Sequence, residues 1–215
     1  MPESGEVLEV IFQFIVPPVN YEKFLQPSMT NVEAKLFFEV ADAAKKYDIY
    51  ALKNICKTVI ELQRQFTCPA EVLNFCYKYG YNEPINETAE RALKCGTSTF
   101  SVTSKLESQE LQQQWTRYHG LWCAAANGAL DRFQRNMPYC MVWNRLYIVF
   151  SNQLKTNPVQ FEKILVSEDD LKTKCRLPVC SCKELPDKYP AWFEDIVKML
   201  KEFKSNTKFS PFIGR

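Results

Sequence analysis

The chain has little glycine, six in 215 residues, and a single histidine. So few glycines leave little provision for the turns and bulges of many-stranded folds and point to a helix-dominated protein. No apolar run approaches the roughly 20 residues that span a membrane as a helix. No run of lysine and arginine could neutralise a row of phosphates; basic and acidic side chains are interspersed, for a net charge of +2, which excludes DNA and RNA as partners. Glu3, Glu6 and Glu9 precede the first basic residue, Lys23, the reverse of a secretory leader. A Gly-rich phosphate loop, G-x-S-x-G and H-E-x-x-H are all missing, and with them the signatures of nucleotide, acyl-transfer and zinc-hydrolase chemistry. There is no internal repeat and no low-complexity tract. The expectation is a soluble protein of the cytoplasm or nucleus that is not an enzyme, with no membrane partner and no small-molecule substrate.

What is present is amphipathic helix. Hydrophobic residues make up 46% of the chain and charged residues 24%, near the average for globular proteins. Val7, Leu8, Ile11, Phe12 and Ile15 recur at helical spacing before Pro17-Pro18 ends the run. Thr30-Asn31-Val32-Glu33 has the pattern of a capping box and opens a second helix, with Val32, Leu36, Phe37, Val40, Ala44 and Tyr47 on one face. After a break at Asp48, Leu52, Ile55, Cys56 and Val59 form a third stripe, so these two helices close as an antiparallel hairpin.

A second hairpin follows. Thr67-Cys68-Pro69 starts a helix whose inner face is Val72, Leu73, Cys76 and Tyr77 and which Gly80 stops. Pro84 to Glu87 opens its partner, with Ala89, Ala92 and Leu93 inward and Gly96 at the end; the sequon-like Asn86-Glu87-Thr88 is read as part of that helix start. The stretch from Gly96 to Ser104 is expected to be a polar linker. Beyond it Leu111, Trp115, Tyr118, Trp122, Ala125, Ala126, Leu130 and Phe133 trace one long helix to about Arg135. Further helices are expected from the apolar stretch Met141 to Phe150, from Asn157-Pro158, from Ser167 with Glu168, Asp169 and Asp170, and from near Pro190 through Ile196, Leu200 and Phe203.

The strings Val7 to Ile15 and Val40 to Ile49, followed by Asn54-Ile55-Cys56, resemble the second half of the BTB/POZ domain found in proteins of mushroom-forming basidiomycete fungi. Pro69 to Leu73, Tyr77 to Tyr81, Trp115 to His119, Cys140 with Trp143, and Lys208 to Phe212 resemble the regions that follow the domain in those proteins. The resemblance implies a mainly α fold in which a truncated BTB/POZ-like remnant over residues 1–62 precedes a helical extension over 63–98 and a helical C-terminal domain over 105–215. The strand-rich opening of a complete BTB domain would be missing ahead of Val7. It also implies protein partners: a second copy of the chain, a cullin-type ubiquitin-ligase scaffold or a transcriptional corepressor. The partner-binding residues expected on this basis are Glu9, Phe12, Gln13, Tyr47, Asp48, Ile49 and Tyr50.

Two constellations could carry chemistry. Cys175, Cys180 and Cys182 cluster between Pro178 and Pro186, and with Cys140 or His119 as fourth ligand would make a tetrahedral zinc site. That supports a rival reading, a zinc-stabilised helical regulatory module; the favoured reading has no cofactor and leaves these thiols unligated. His119 and Cys123, four residues apart, share one turn of the long helix in the geometry of a base and a thiol. No oxyanion-hole element accompanies them, so they are read as packing residues. Cys56, Cys76, Cys95 and Cys123 sit within helical patterns as small hydrophobes, and the odd total of nine cysteines fits reduced thiols. Trp115, Trp122, Trp143 and Trp192 are read as core, not as the walls of a ligand pocket.

Overall fold

The computed structural model describes residues 3–15, 27–29, 31–62, 69–94, 99–135, 141–156, 158 and 185–209. Its elements are α1 (Gly5–Ile15), α2 (Ala34–Lys46), α3 (Tyr50–Leu62), α4 (Pro69–Tyr79), α5 (Asn82–Lys94), α6 (Thr99–Thr103), α7 (Gln109–Arg135), α8 (Met141–Thr156) and α9 (Leu185–Asn206). The fold is mainly α, and among the described residues there is no strand. The expected helix starts at Asn157 and Ser167, the breaks at Pro17-Pro18 and Gly96, and Thr30 of the capping box lie outside the described residues.

Most helices pack against a neighbour in sequence. Helix α1 lies on α2 and α3, α2 pairs with α3, α4 with α5, and α7 gathers α6, α8 and α9 around itself. Buried side chains from each of these helices run from Val7 and Ile11 through Phe37, Leu52, Leu73 and Val102 to Trp115, Trp122 and Phe133 as one core. The long helix behaves as its pattern predicts. Leu111, Trp115, Tyr118, Trp122, Ala126, Ala129, Leu130 and Phe133 are buried along it. Trp122 meets Phe203 of α9 edge-on at 5.0 Å, Phe133 stacks on Phe150 of α8 at 5.8 Å, and Phe209 closes over Trp115 and Tyr118 at 6.3 and 5.2 Å.

Several expectations shift. Helix α2 begins a turn late: Glu33 is itself the N-cap, at φ −56° and ψ 142°, and its side chain makes no capping bond. Glu33 thus stands at the N-cap and not at the third helical position that a capping box requires, with Asn31 and Val32 in a turn and bend ahead of it. Helix α5 begins at Asn82, ahead of Pro84, which a first helical turn accepts because its missing N–H has no intrahelical partner there. Asn86-Glu87-Thr88 therefore lies inside the helix, with the buried Thr88 hydroxyl donating to the Pro84 carbonyl at 2.7 Å. The expected linker contains α6, whose Val102, with Leu106 just after it, is buried. The last helix starts at Leu185, five residues ahead of Pro190.

Candidate interaction surface

The turn between α2 and α3 is built from backbone hydrogen bonds. Ile49 N–H donates to Ala44 O at 2.9 Å and Asp48 N–H to Lys45 O at 3.4 Å, the paired closure of a Schellman motif. It requires a left-handed residue, and Asp48 supplies it at φ 57°, a conformation that Asp tolerates better than most side chains. Its carboxylate meets the ammonium of Lys53, which holds the Asp48 carboxyl below its ordinary value. The reversal ends α2 at Tyr47, so Tyr47 leaves the buried face on which its spacing put it and stands half exposed. Tyr50, opening α3, is 74% exposed.

Glu3, just ahead of α1, ties that helix to the turn. It accepts from the Tyr47 hydroxyl at 2.6 Å and from the Lys46 ammonium at 2.8 Å. Hydrogen bonds from Lys46 and then Tyr47 draw its carboxyl down to about 2.

Of the residues expected to bind a partner, Glu9, Phe12, Gln13, Tyr47, Asp48 and Tyr50 are exposed and Ile49 is half-buried. They fall into two groups. Phe12 lies nine residues beyond Glu3, about 14 Å along α1 at 1.5 Å per residue, so the α1 residues are displaced from the turn. Helix α1 buries Val7 and Ile11, with Val10 and Phe14 packed beside them, and leaves Leu8, Phe12 and Ile15 open as a second apolar stripe. Phe12 is 53% exposed.

A groove not anticipated from the sequence runs along α3. Ala51, Asn54, Ile55, Thr58 and Leu62, with Tyr50, Pro27 and Met29, line an open volume of about 550 Å³ without one charged side chain. The signal was present as the uncharged spacing left on α3 once its buried stripe is removed.

A third feature lies between the hairpins. Lys35, Phe38, Glu39 and Asp42 of α2 face Glu71, Asn74, Phe75 and Lys78 of α4 across a cleft of about 270 Å³. Both walls follow the same i, i+3, i+4, i+7 rhythm, one face of a helix each. At one end the cleft is closed by Asp42, which accepts from Lys78 at 2.6 Å and from Tyr79 at 2.5 Å. Lys45 reinforces that end by lying over the rings of Tyr79 and Tyr81, at 5.3 and 4.8 Å.

The sulfur chemistry is subdued. His119 Nδ1 and Cys123 Sγ do meet, at 3.4 Å. Burial lowers the His119 pKa and raises that of Cys123, the opposite of what an activated thiol needs. The buried thiols of Cys56 and Cys76 are each pushed up to about 12 by burial. Cys95, Cys140, Cys175, Cys180 and Cys182 lie outside the described residues, as do the side chains of Trp143 and Trp192. Among the described residues no group of three or more His, Cys, Asp or Glu is placed to hold a metal ion, and no helix is long and apolar enough to cross a membrane.

Comparison with protein-family models, with curated proteins and with solved structures finds no match to this chain.

Proposed function

We propose that this protein is a non-enzymatic interaction module of BTB/POZ type, acting in the cytoplasm or nucleus by contact with a second copy of itself or with a cullin-type scaffold. The observation that carries the reading is the open stripe of Leu8, Phe12 and Ile15 on a helix whose other apolar side chains are already in the core. Large apolar residues grouped at helical spacing on a surface mark a contact site more often than chance exposure does. The uncharged groove on α3 supports it as a second apolar surface of the same three-helix unit. The short strings that resemble the BTB/POZ domain fall on these same helices and name the partner class.

Sedimentation velocity of the purified chain, alone and with an isolated cullin amino-terminal domain, tests this. The expected result is self-association or a complex that Phe12→Glu with Ile15→Glu abolishes while helicity by circular dichroism is unchanged. A monomer that binds no cullin domain, or an association indifferent to both substitutions, would refute it.

A further inference from the structure

We infer that the cleft between α2 and α4 receives an arginine side chain presented by a partner protein. The inference shares with the contact reading above only its assumption of a protein partner; the surfaces differ, so each stands or falls by its own substitutions.

The charges decide the sign of the occupant. Four carboxylates and two ammonium groups line the cleft, and the Asp42–Lys78 pair removes one of each. Among the described residues Glu39, Glu71 and Glu107 have no ion-pair partner, so three carboxylates face only Lys35. The cleft is thus locally negative on a chain whose net charge is +2. Anions such as phosphate are excluded on the same ground.

The rings decide the shape. Phe38, half-buried, and Phe75, buried, lie side by side at 5.6 Å, tilted by 45°, and line the same cleft as the carboxylates. An aromatic pair among carboxylates suits a cation that is also flat and weakly hydrated, which describes a guanidinium better than an ammonium. The volume of about 270 Å³ lies near the lower end of the range for small-molecule sites and accommodates a single side chain.

The backbone that carries one carboxylate is fixed in advance. Asn74 donates to Lys105 O at 3.0 Å and accepts from Glu107 N–H at 3.1 Å, pinning the start of the segment before α7 against α4. Both ends of the Asn74 amide are spent on this, and its effect is to hold Glu107 at the mouth of the cleft. A fork-shaped donor entering along the rings meets carboxylates from α2, α4 and this segment, an arrangement that rewards bidentate hydrogen bonding.

Isothermal titration of the full chain with a capped alanine peptide carrying two arginines tests the assignment, alongside the same peptide carrying lysine or citrulline, and spermidine. Saturable binding of the arginine peptide is expected, with at least about tenfold weaker binding of the other three. Glu39→Gln, Glu71→Gln and Glu107→Gln together should weaken it by a similar factor; all three positions are exposed, so folding is retained and is checked by circular dichroism. No saturation at millimolar peptide overturns the inference, as does unchanged binding by the triple variant. Equal binding of spermidine would replace a protein partner with a diffusible polyamine, and equal binding of the lysine peptide would remove the case for a planar fork.

Discussion

Asp48 and Gly80 do the same work in different ways. Each takes a left-handed conformation, at φ 57° and 71°, and each is followed by a residue whose N–H reaches back to close the preceding helix, Ile49 to Ala44 and Tyr81 to Cys76, both at 2.9 Å. Glycine meets that demand without steric cost, whereas Asp48 meets it with help from Lys53. Glu3 is the other residue on which the front of the molecule turns, and it gives a pH dependence with a definite sign. Its carboxyl falls from 4.5 to about 2 on folding, so its contribution is fully present above pH 4.5 and is lost as pH falls toward 2. The thermal midpoint of Glu3→Gln should therefore lie below that of the parent chain at pH 6, with the gap closing between pH 4.5 and 2. Added salt should narrow the gap at pH 6.

Among the helices, legibility in the sequence depended on contrast between faces. Helix α7 was readable from Leu111 to Phe133 because its apolar residues form one stripe against a polar remainder over seven turns. Helix α1 was readable as a helix from the same spacing, but its buried face was not, because Val7, Leu8, Val10, Ile11, Phe12, Phe14 and Ile15 surround it almost completely; which of them face inward is settled by α2 and α3. Tyr47 was misplaced since the periodicity of α2 takes no account of a chain that reverses at the next residue. The cleft walls were each visible as a helical face, but nothing local says that residues 35–42 would stand opposite 71–78. Two glycines offer a matched prediction. In Gly80→Ala a Cβ would meet no atom within 4 Å, so the left-handed backbone alone sets its cost, about 1–2 kcal/mol. In Gly120→Ala, exposed in the interior of α7 and equally unobstructed, the change should stabilise by about 0.5–1 kcal/mol. Chemical denaturation of the two variants should move the midpoint in opposite directions.

For the molecule as a whole, α7 is the element through which the C-terminal helices are joined to the rest, by Trp122 on Phe203, Phe133 on Phe150, and Arg132 with Asp195 at 3.2 Å. Lys204 adds a reach to Glu90 of α5 at 3.0 Å. Phe209, beyond the end of α9, is fully buried against Trp115 and Tyr118 and fastens the last described segment to the same helix. Phe209→Ala should cost about 3–5 kcal/mol in denaturant-measured stability and alter tryptophan fluorescence, whereas removal of an exposed residue nearby, Lys208, should do neither.

The two hairpins are tied at their turns by Asp42, Lys45, Lys78, Tyr79 and Tyr81, and midway by the rings of Phe38 and Phe75. The first tie is electrostatic and weakens as dissolved ions accumulate; the second is apolar and does not. Brine should therefore loosen the contact at the turns while leaving the aromatic one in place, and dilute buffer should tighten it.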